Sequence, residues 1–118
     1  MNKDEYSVFI RGKIVAICQA MLKEEIGVIP GSRRLNSLEI ELRHQEAGSF
    51  ERDEDFLTFV GIDSETDHLP VDVERKNWSV EALQRKDEEI AKAEAFYRED
   101  AFAACRTLIE RFDLQRGI

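Results

Sequence analysis

Between Lys3 and about Glu25 the apolar residues return every three or four positions, with Tyr6, Ile10, Ile14, Ile17 and Met21 on one face and Val8, Val15 and Leu22 on a second. That spacing predicts a helix, and apolar character on two faces predicts that it lies between neighbours. Gly12 falls inside it, either as a tolerated residue or where another backbone comes close. Gly27 and the pair Pro30-Gly31 predict the helix end and a turn, because Pro restricts the residue before it and Gly permits a positive φ. Ser32 is then the expected cap of a second helix running to about Gln45, with Leu35, Leu38 and Leu42 facing inward. Leu38, Ile40 and Leu42 also alternate as a strand would, but the surrounding Arg, Leu and Glu are strong helix formers.

The run Phe56 to Ile62 fits a short buried helix capped by Asp53 or Asp55, with a single strand over 56–62 as the competing reading. Asp63 to Pro70 is rich in turn formers and caps, and Val71 to Asn77 is expected to be extended. Trp78 precedes Ser79, a good helix cap, and is placed to pack back on the first turn. From Ser79 to Arg116 neither Gly nor Pro intervenes. Leu83, Ile90, Tyr97 and Ala104 recur at sevens there, with Ala93, Ala101, Leu108 and Phe112 filling the stripe. Glu81 and Arg85, Glu88 and Lys92, and Glu94 and Arg98 form acid-to-base pairs four apart, which marks a solvent face. A break near Arg98 to Asp100 would make two helices of this stretch; without one it is about three times the average helix. The fold class that follows is all-α, one domain over 1–118. It is a three- or four-helix bundle with a long C-terminal helix and an irregular acidic segment, the alternative being α+β with one short strand.

The charge balance sharpens this outline. The chain has 118 residues and a formal net charge of -8, and the stretch 48–76, with nine acids against three bases, carries -6 of it. So acidic a chain argues against nucleic-acid binding, which relies on clustered Lys and Arg, and fits a basic partner or solubility. The two cysteines, Cys18 and Cys105, sit in apolar surroundings and are expected to be buried, reduced thiols, with a disulfide between the first and last helices as the other option. The start MNKDEYSVF has acids where a signal peptide is basic, and the run Ile14 to Leu22 is too short to cross a bilayer, so a cytoplasmic protein is expected.

Chemistry concentrates in Asp63 to Pro70, where Asp63, Ser64, Glu65, Asp67 and His68 fall within eight residues. A purely structural reading makes Asp63, Ser64 and Asp67 satisfy their own backbone in turns. A calcium loop is the second reading, since Asp63, Glu65, Asp67 and Glu74 occupy its first, third, fifth and twelfth positions. It fails at the sixth, where His68 replaces the required Gly, and at Pro70. Catalysis by His68 as general base, assisted by Asp63, Glu65 or Ser64, is the third, but no nucleophile or phosphate loop accompanies it. The fourth is a protein-binding surface, with the acids steering a partner and Phe50, Phe56, Leu69 or Trp78 as anchor. Arg33 and Arg34 could meet a phosphate or carboxylate, or pair with the middle acids and tie that segment to the second helix. His44 falls on the polar side of the second helix.

The run FVGIDSETDHLP, followed by Trp78-Ser79 and the helix EALQRKDEEI, resembles small bacterial proteins of an uncharacterised family. The resemblance covers Gly31 to Phe112 and implies a single-domain bacterial protein without supplying catalytic residues. Size and acidity are also similar to immunity proteins that neutralise secreted toxins. The expected function is therefore a small, non-enzymatic binding protein of inhibitor or immunity type covering a basic site on a partner, with Asp63, Ser64, Glu65, Asp67, His68 and Trp78 as binding residues. The alternative is a small hydrolase or metal-dependent enzyme using Asp63, Glu65, Asp67 and His68. Neither a cofactor, a metal, nucleic acid nor a membrane is called for, and the long amphipathic helix could bury its stripe within one chain or against a twin.

Overall fold

The structure is a computed structural model that describes residues 2–46 and 52–116. Four helices account for nearly all of it: α1 (Lys3–Leu22), α2 (Val28–Gln45), α3 (Leu57–Thr66) and α4 (Val80–Arg116). Short 3-10 segments, Glu54–Phe56 and Asp72–Asn77, precede α3 and α4. No strand occurs among the described residues, so Phe56 to Ile62 is helical, as is the Leu38 to Leu42 stretch. Phe50, Glu51 and the side chains of Asp72 and Glu74, counted above with the acidic segment, lie outside the described part.

The closing helix is a single element of 37 residues, with no break at Arg98 to Asp100, in a molecule that measures 49 Å along its longest axis. α1 packs between α2 and α4, and α3 fills the side formed by α2 and the C-terminal half of α4. One core results, built from Ile10, Ile14, Cys18 and Met21 of α1, Leu35 and Leu42 of α2, Phe56, Phe59 and Ile62, and Ala101, Cys105, Leu108 and Phe112 of α4. Val15 joins this core and Leu22 packs against it, but Val8, assigned to the same second face, stays half-exposed because no element covers the start of α1 on that side. Cys18 and Cys105 are free and buried as expected. A hydrogen bond with Cys105 and burial push the Cys18 thiol up, which keeps it protonated.

The entry to α2 departs from the expectation. The turn after α1 is made by Glu24, at a left-handed φ of 59°, and Gly27 is the N-cap of α2. Pro30 and Gly31 lie inside its first turns, and Ser32 is a fully buried helical residue whose hydroxyl has no partner. Pro is accommodated because first-turn amides have no partner within the helix. The side chain that satisfies this turn comes from 66 residues away: the Glu94 carboxylate accepts the Val28 N–H and the Ile29 N–H, each at 2.6 Å. Glu94 is thus not the outer-face partner of Arg98, which instead lies 3.6 Å from Glu24.

Gly31 is buried against α1, and a Cβ there would stand 2.7 Å from Met21 Cγ and 2.9 Å from its Cε. Met21 is itself fully buried, so it can make room only by shifting within the packed core. Gly31→Ala should therefore cost about 1–3 kcal/mol of stability through overpacking, despite the higher helix propensity of Ala. Urea denaturation followed by circular dichroism measures this, and a variant as stable as the parent would show that the α1–α2 contact is looser than described.

Candidate functional site

The acidic segment is positioned from both ends. Asp53 caps the turn before α3 by accepting the Asp55 N–H at 3.0 Å, and Arg111 of α4 clamps both acids, its Nη1 lying 2.6 Å from Asp53 Oδ2 and 2.9 Å from Asp55 Oδ2. The Asp53 N–H in turn donates at 3.1 Å to Glu39, a carboxylate only 2% exposed that also lies 2.7 Å from Arg43 Nε. Phe56, named above as a surface anchor, is driven inward with Phe59, because an edge-on aromatic pair at 6.3 Å fills the space under α2.

α3 continues through Thr66, so Asp63, Ser64 and Glu65 are helical residues rather than parts of a turn cluster. Its end is fixed from α2: Arg33 Nη2 donates to the carbonyls of Thr66 at 2.6 Å and Leu69 at 3.0 Å, while Arg33 Nε lies 3.4 Å from Asp63 Oδ1. A cation on the last carbonyls of a helix is favourable for both the orphan acceptors and the dipole. Asn36 adds a second tie, its Nδ2 donating to Phe59 O at 3.0 Å and to Asp63 Oδ2 at 3.3 Å. Asp63 and the end of α3 are thus tied to the second helix through Arg33.

Beyond α3 the chain crosses to α4 as a strap. Leu69 and Val71 are buried with Ile29 of α2, with Ile90 and Ala93 of α4 packed against them, which removes Leu69 from the surface. The stretch expected to be extended winds instead as the 3-10 segment Asp72–Asn77. Arg75 grips Asp87 in a two-pronged contact of 2.7 and 3.1 Å, and His68 Nε2 meets Glu89 Oε1 at 2.6 Å. Lys86 stands 3.3 Å from Glu89 and 6.0 Å from the Trp78 ring centre, and Ser79 caps α4 by accepting the Ala82 N–H at 3.2 Å. Trp78 remains partly exposed at this end, on Lys86 rather than in the core.

These contacts divide the predicted residues. Asp63, Ser64 and Asp67 line an open pocket of about 410 Å³ together with Arg33, Asn36 and Arg52. Asn36 Oδ1 is buried there without a partner. Glu65 does not line this pocket, and His68 is engaged with Glu89 on α4, so the four side chains an enzyme would use do not face one point. Among the described residues no group of three His, Cys, Asp or Glu could hold a metal ion, and a helix through Thr66 is incompatible with a calcium loop starting at Asp63. Sequence reasoning did not find Glu39, Asn36 or Glu94; each is a polar residue at an inward position of its helix, and that mismatch was the available signal.

Two carboxylates of the strap ties, Glu89 and Asp87, titrate below their ordinary range. The hydrogen bond from His68, helped by Lys86, holds the Glu89 carboxyl below its ordinary 4.5, and Arg75 holds Asp87 below its ordinary 3.8. A depressed folded-state pKa contributes stability that is present above the ordinary value and lost as pH falls through the lower one. Thermal unfolding should accordingly show a stability loss beginning below about pH 4 that is shallower in Asp87→Asn, which lacks one of the titrating ties. Identical acid profiles for the two chains would show that the strap carries no such linkage.

Among the described residues no helix is long and apolar enough to cross a membrane. No curated protein and no solved structure matched the chain. Residues 2–108 match the family described as Protein of unknown function (DUF2489), a span that takes in α1, α2, α3, the strap and α4 as far as Leu108, and the chain belongs to that family.

Proposed function

We propose that the protein is a small, non-enzymatic binding protein of the bacterial cytoplasm, of inhibitor or immunity type, whose strap end covers a basic site on a partner protein. The observation that carries this reading is the unequal use of the acids. Asp53, Asp55, Asp63, Asp87 and Glu89 are each held by a cation of the chain itself, Glu89 by Lys86. The side chains of Glu65 and Asp67, both exposed, form neither a hydrogen bond nor an ion pair with any described residue. Asp67 adjoins His68, and contacts run on from His68 through Glu89 and Lys86 to the exposed Trp78, so acids and an aromatic anchor share one surface.

Capture on immobilised wild-type chain, with Glu65→Gln/Asp67→Asn as the matched control, tests this. A protein held by the wild-type chain should lose about three- to tenfold in affinity with the double substitution and weaken further as salt rises. Binding that ignores both salt and the substitutions would remove the acidic end from the interaction.

A further inference from the structure

The polar pocket of about 410 Å³ between α2 and α3 holds groups that the fold leaves without partners. α2 supplies one wall from Arg33 to Ile40 and α3 the other from Val60 to Asp67, each through residues at i, i+3, i+4 and i+7, so one face of each helix lines it. The two helices run in opposite directions. The Asp53 N–H meets Glu39 beside Ile40 at one end, and Arg33 reaches the Thr66 and Leu69 carbonyls beside Asp67 at the other. Arg33 and Asp63 are already spent on each other and on these ties. What stays open is a cation at the first end, Arg52 next to Asp53, and an anion at the second, Asp67. Both side chains are exposed and form neither a hydrogen bond nor an ion pair with any described residue. Between them, Asn36 is only 7% exposed and its Oδ1 has no partner, because Nδ2 is the atom that donates to Phe59 O and Asp63. A buried acceptor of this kind costs free energy until a donor meets it.

We propose that this pocket binds a short peptide with both termini free, about three residues long, its ammonium at Asp67 and its carboxylate at Arg52. The two open charges select a ligand of both signs, because a ligand of one sign would leave one end unpaired. Their separation selects the length. From Val60 to Asp67 a helix rises about 10 Å, well beyond the span between the ammonium and carboxylate of a single amino acid and close to an extended chain of three residues at about 3.3–3.6 Å each. A backbone N–H of the peptide supplies the donor that Asn36 Oδ1 lacks, and an apolar side chain next to the carboxylate meets Ile40 and Val60. The pocket shares Asp67 with the acidic partner surface but does not include Glu65, so the two sites separate in experiment.

The test is a titration of the full, isotope-labelled chain with alanyl-alanyl-leucine, followed by nuclear magnetic resonance into the millimolar range, where a few exposed charge pairs place the affinity. Saturable shifts should appear at the Asn36 side-chain amide and at the Ser64 and Asp67 backbone amides. Acetylating the amino end of the peptide, or amidating its carboxyl end, should each weaken binding about three- to tenfold. Arg52→Ala should weaken the free peptide by a similar factor and leave the amidated one unchanged, and Asp67→Asn should do the same with the acetylated one. Both positions are exposed, so the rest of the spectrum should stay in place. Glu65→Gln should leave peptide binding as it is; a loss as large as that of Asp67→Asn would assign the effect to the net charge of this end and overturn the proposal. Absence of saturable shifts at the three named groups overturns it, as does equal binding of free and blocked peptides, or a loss in either variant that is the same for both.

Discussion

Glu94→Ala should lower the stability of the folded chain by about 2–4 kcal/mol, because two charge-assisted hydrogen bonds disappear together and leave two first-turn amides without an acceptor. Val28 and Ile29 are both buried, so water cannot fully replace the carboxylate. Gly27, the cap position, is where the carboxylate rests: a Cβ there would stand 3.1 Å from Glu94 Oε1. Glu94→Gln keeps the length and one acceptor, and should lose about half as much. The same contact pins α4 to the entry of α2 close to Ile29, which in turn supports Leu69 and Val71 of the strap. Urea denaturation checks the magnitude, and hydrogen exchange at the Val28 and Ile29 amides checks the cause. A loss under about 0.5 kcal/mol, typical of surface substitutions, would mean that the carboxylate is not the cap.

Phe59→Ala is expected to cost about 3–5 kcal/mol, the range for removing a buried aromatic side chain and leaving a cavity. Phe59 is fully buried in the shared core and meets Phe56 edge-on, and its own carbonyl accepts from Asn36. Loss of the ring would therefore loosen α3, and with it Asp63 and Ser64, from α2. Against a typical net stability of about 5–15 kcal/mol, the variant should remain folded at low temperature but melt far below the parent. Thermal unfolding measures it; a small shift would place α3 outside the cooperative core.

Why some of this was legible in the sequence and some was not follows from particular residues. The spacing of Ile10, Ile14 and Met21 and of Ala101, Leu108 and Phe112 identified the core faces of α1 and α4, because a 3.6-residue period has only one way to bury those side chains. Asp53 and Ser79 were recognisable as caps because a local hydrogen bond decides their role. The entry to α2 was misplaced for the complementary reason: its cap, Glu94, is distant in sequence, so Pro30-Gly31 carried the strongest local signal and pointed to a turn. The extent of α3 had a similar cause. Asp63, Ser64 and Thr66 are weak helix formers, and what keeps them helical is Arg33 on the terminal carbonyl and Asn36 on Asp63, both contributed by α2. Val71 to Asn77 contains no helical pattern of its own, and winds because Leu69 and Val71 are buried and Arg75 reaches Asp87.

For the candidate site, the sequence located the acidic segment and Trp78 but could not sort its acids. That sorting depends on which cations α2 and α4 present, which only the packing of the helices decides. Arg33 and Arg111 take Asp63, Asp53 and Asp55 into the fold, and His68 is drawn to Glu89, whereas Glu65 and Asp67 are left facing solvent.

The division between acids that hold the fold and acids left for a partner is tested most directly by urea denaturation of Glu65→Gln/Asp67→Asn beside Asp63→Asn. The double substitution should leave stability within about 0.5 kcal/mol of the parent, as for surface positions without a partner, while Asp63→Asn, which removes the charge facing Arg33 and one of the two oxygens that meet Arg33 and Asn36, should lower it measurably. Loss of more than about 1 kcal/mol in the double variant, with Asp63→Asn neutral, would contradict that division and return Glu65 and Asp67 to the fold.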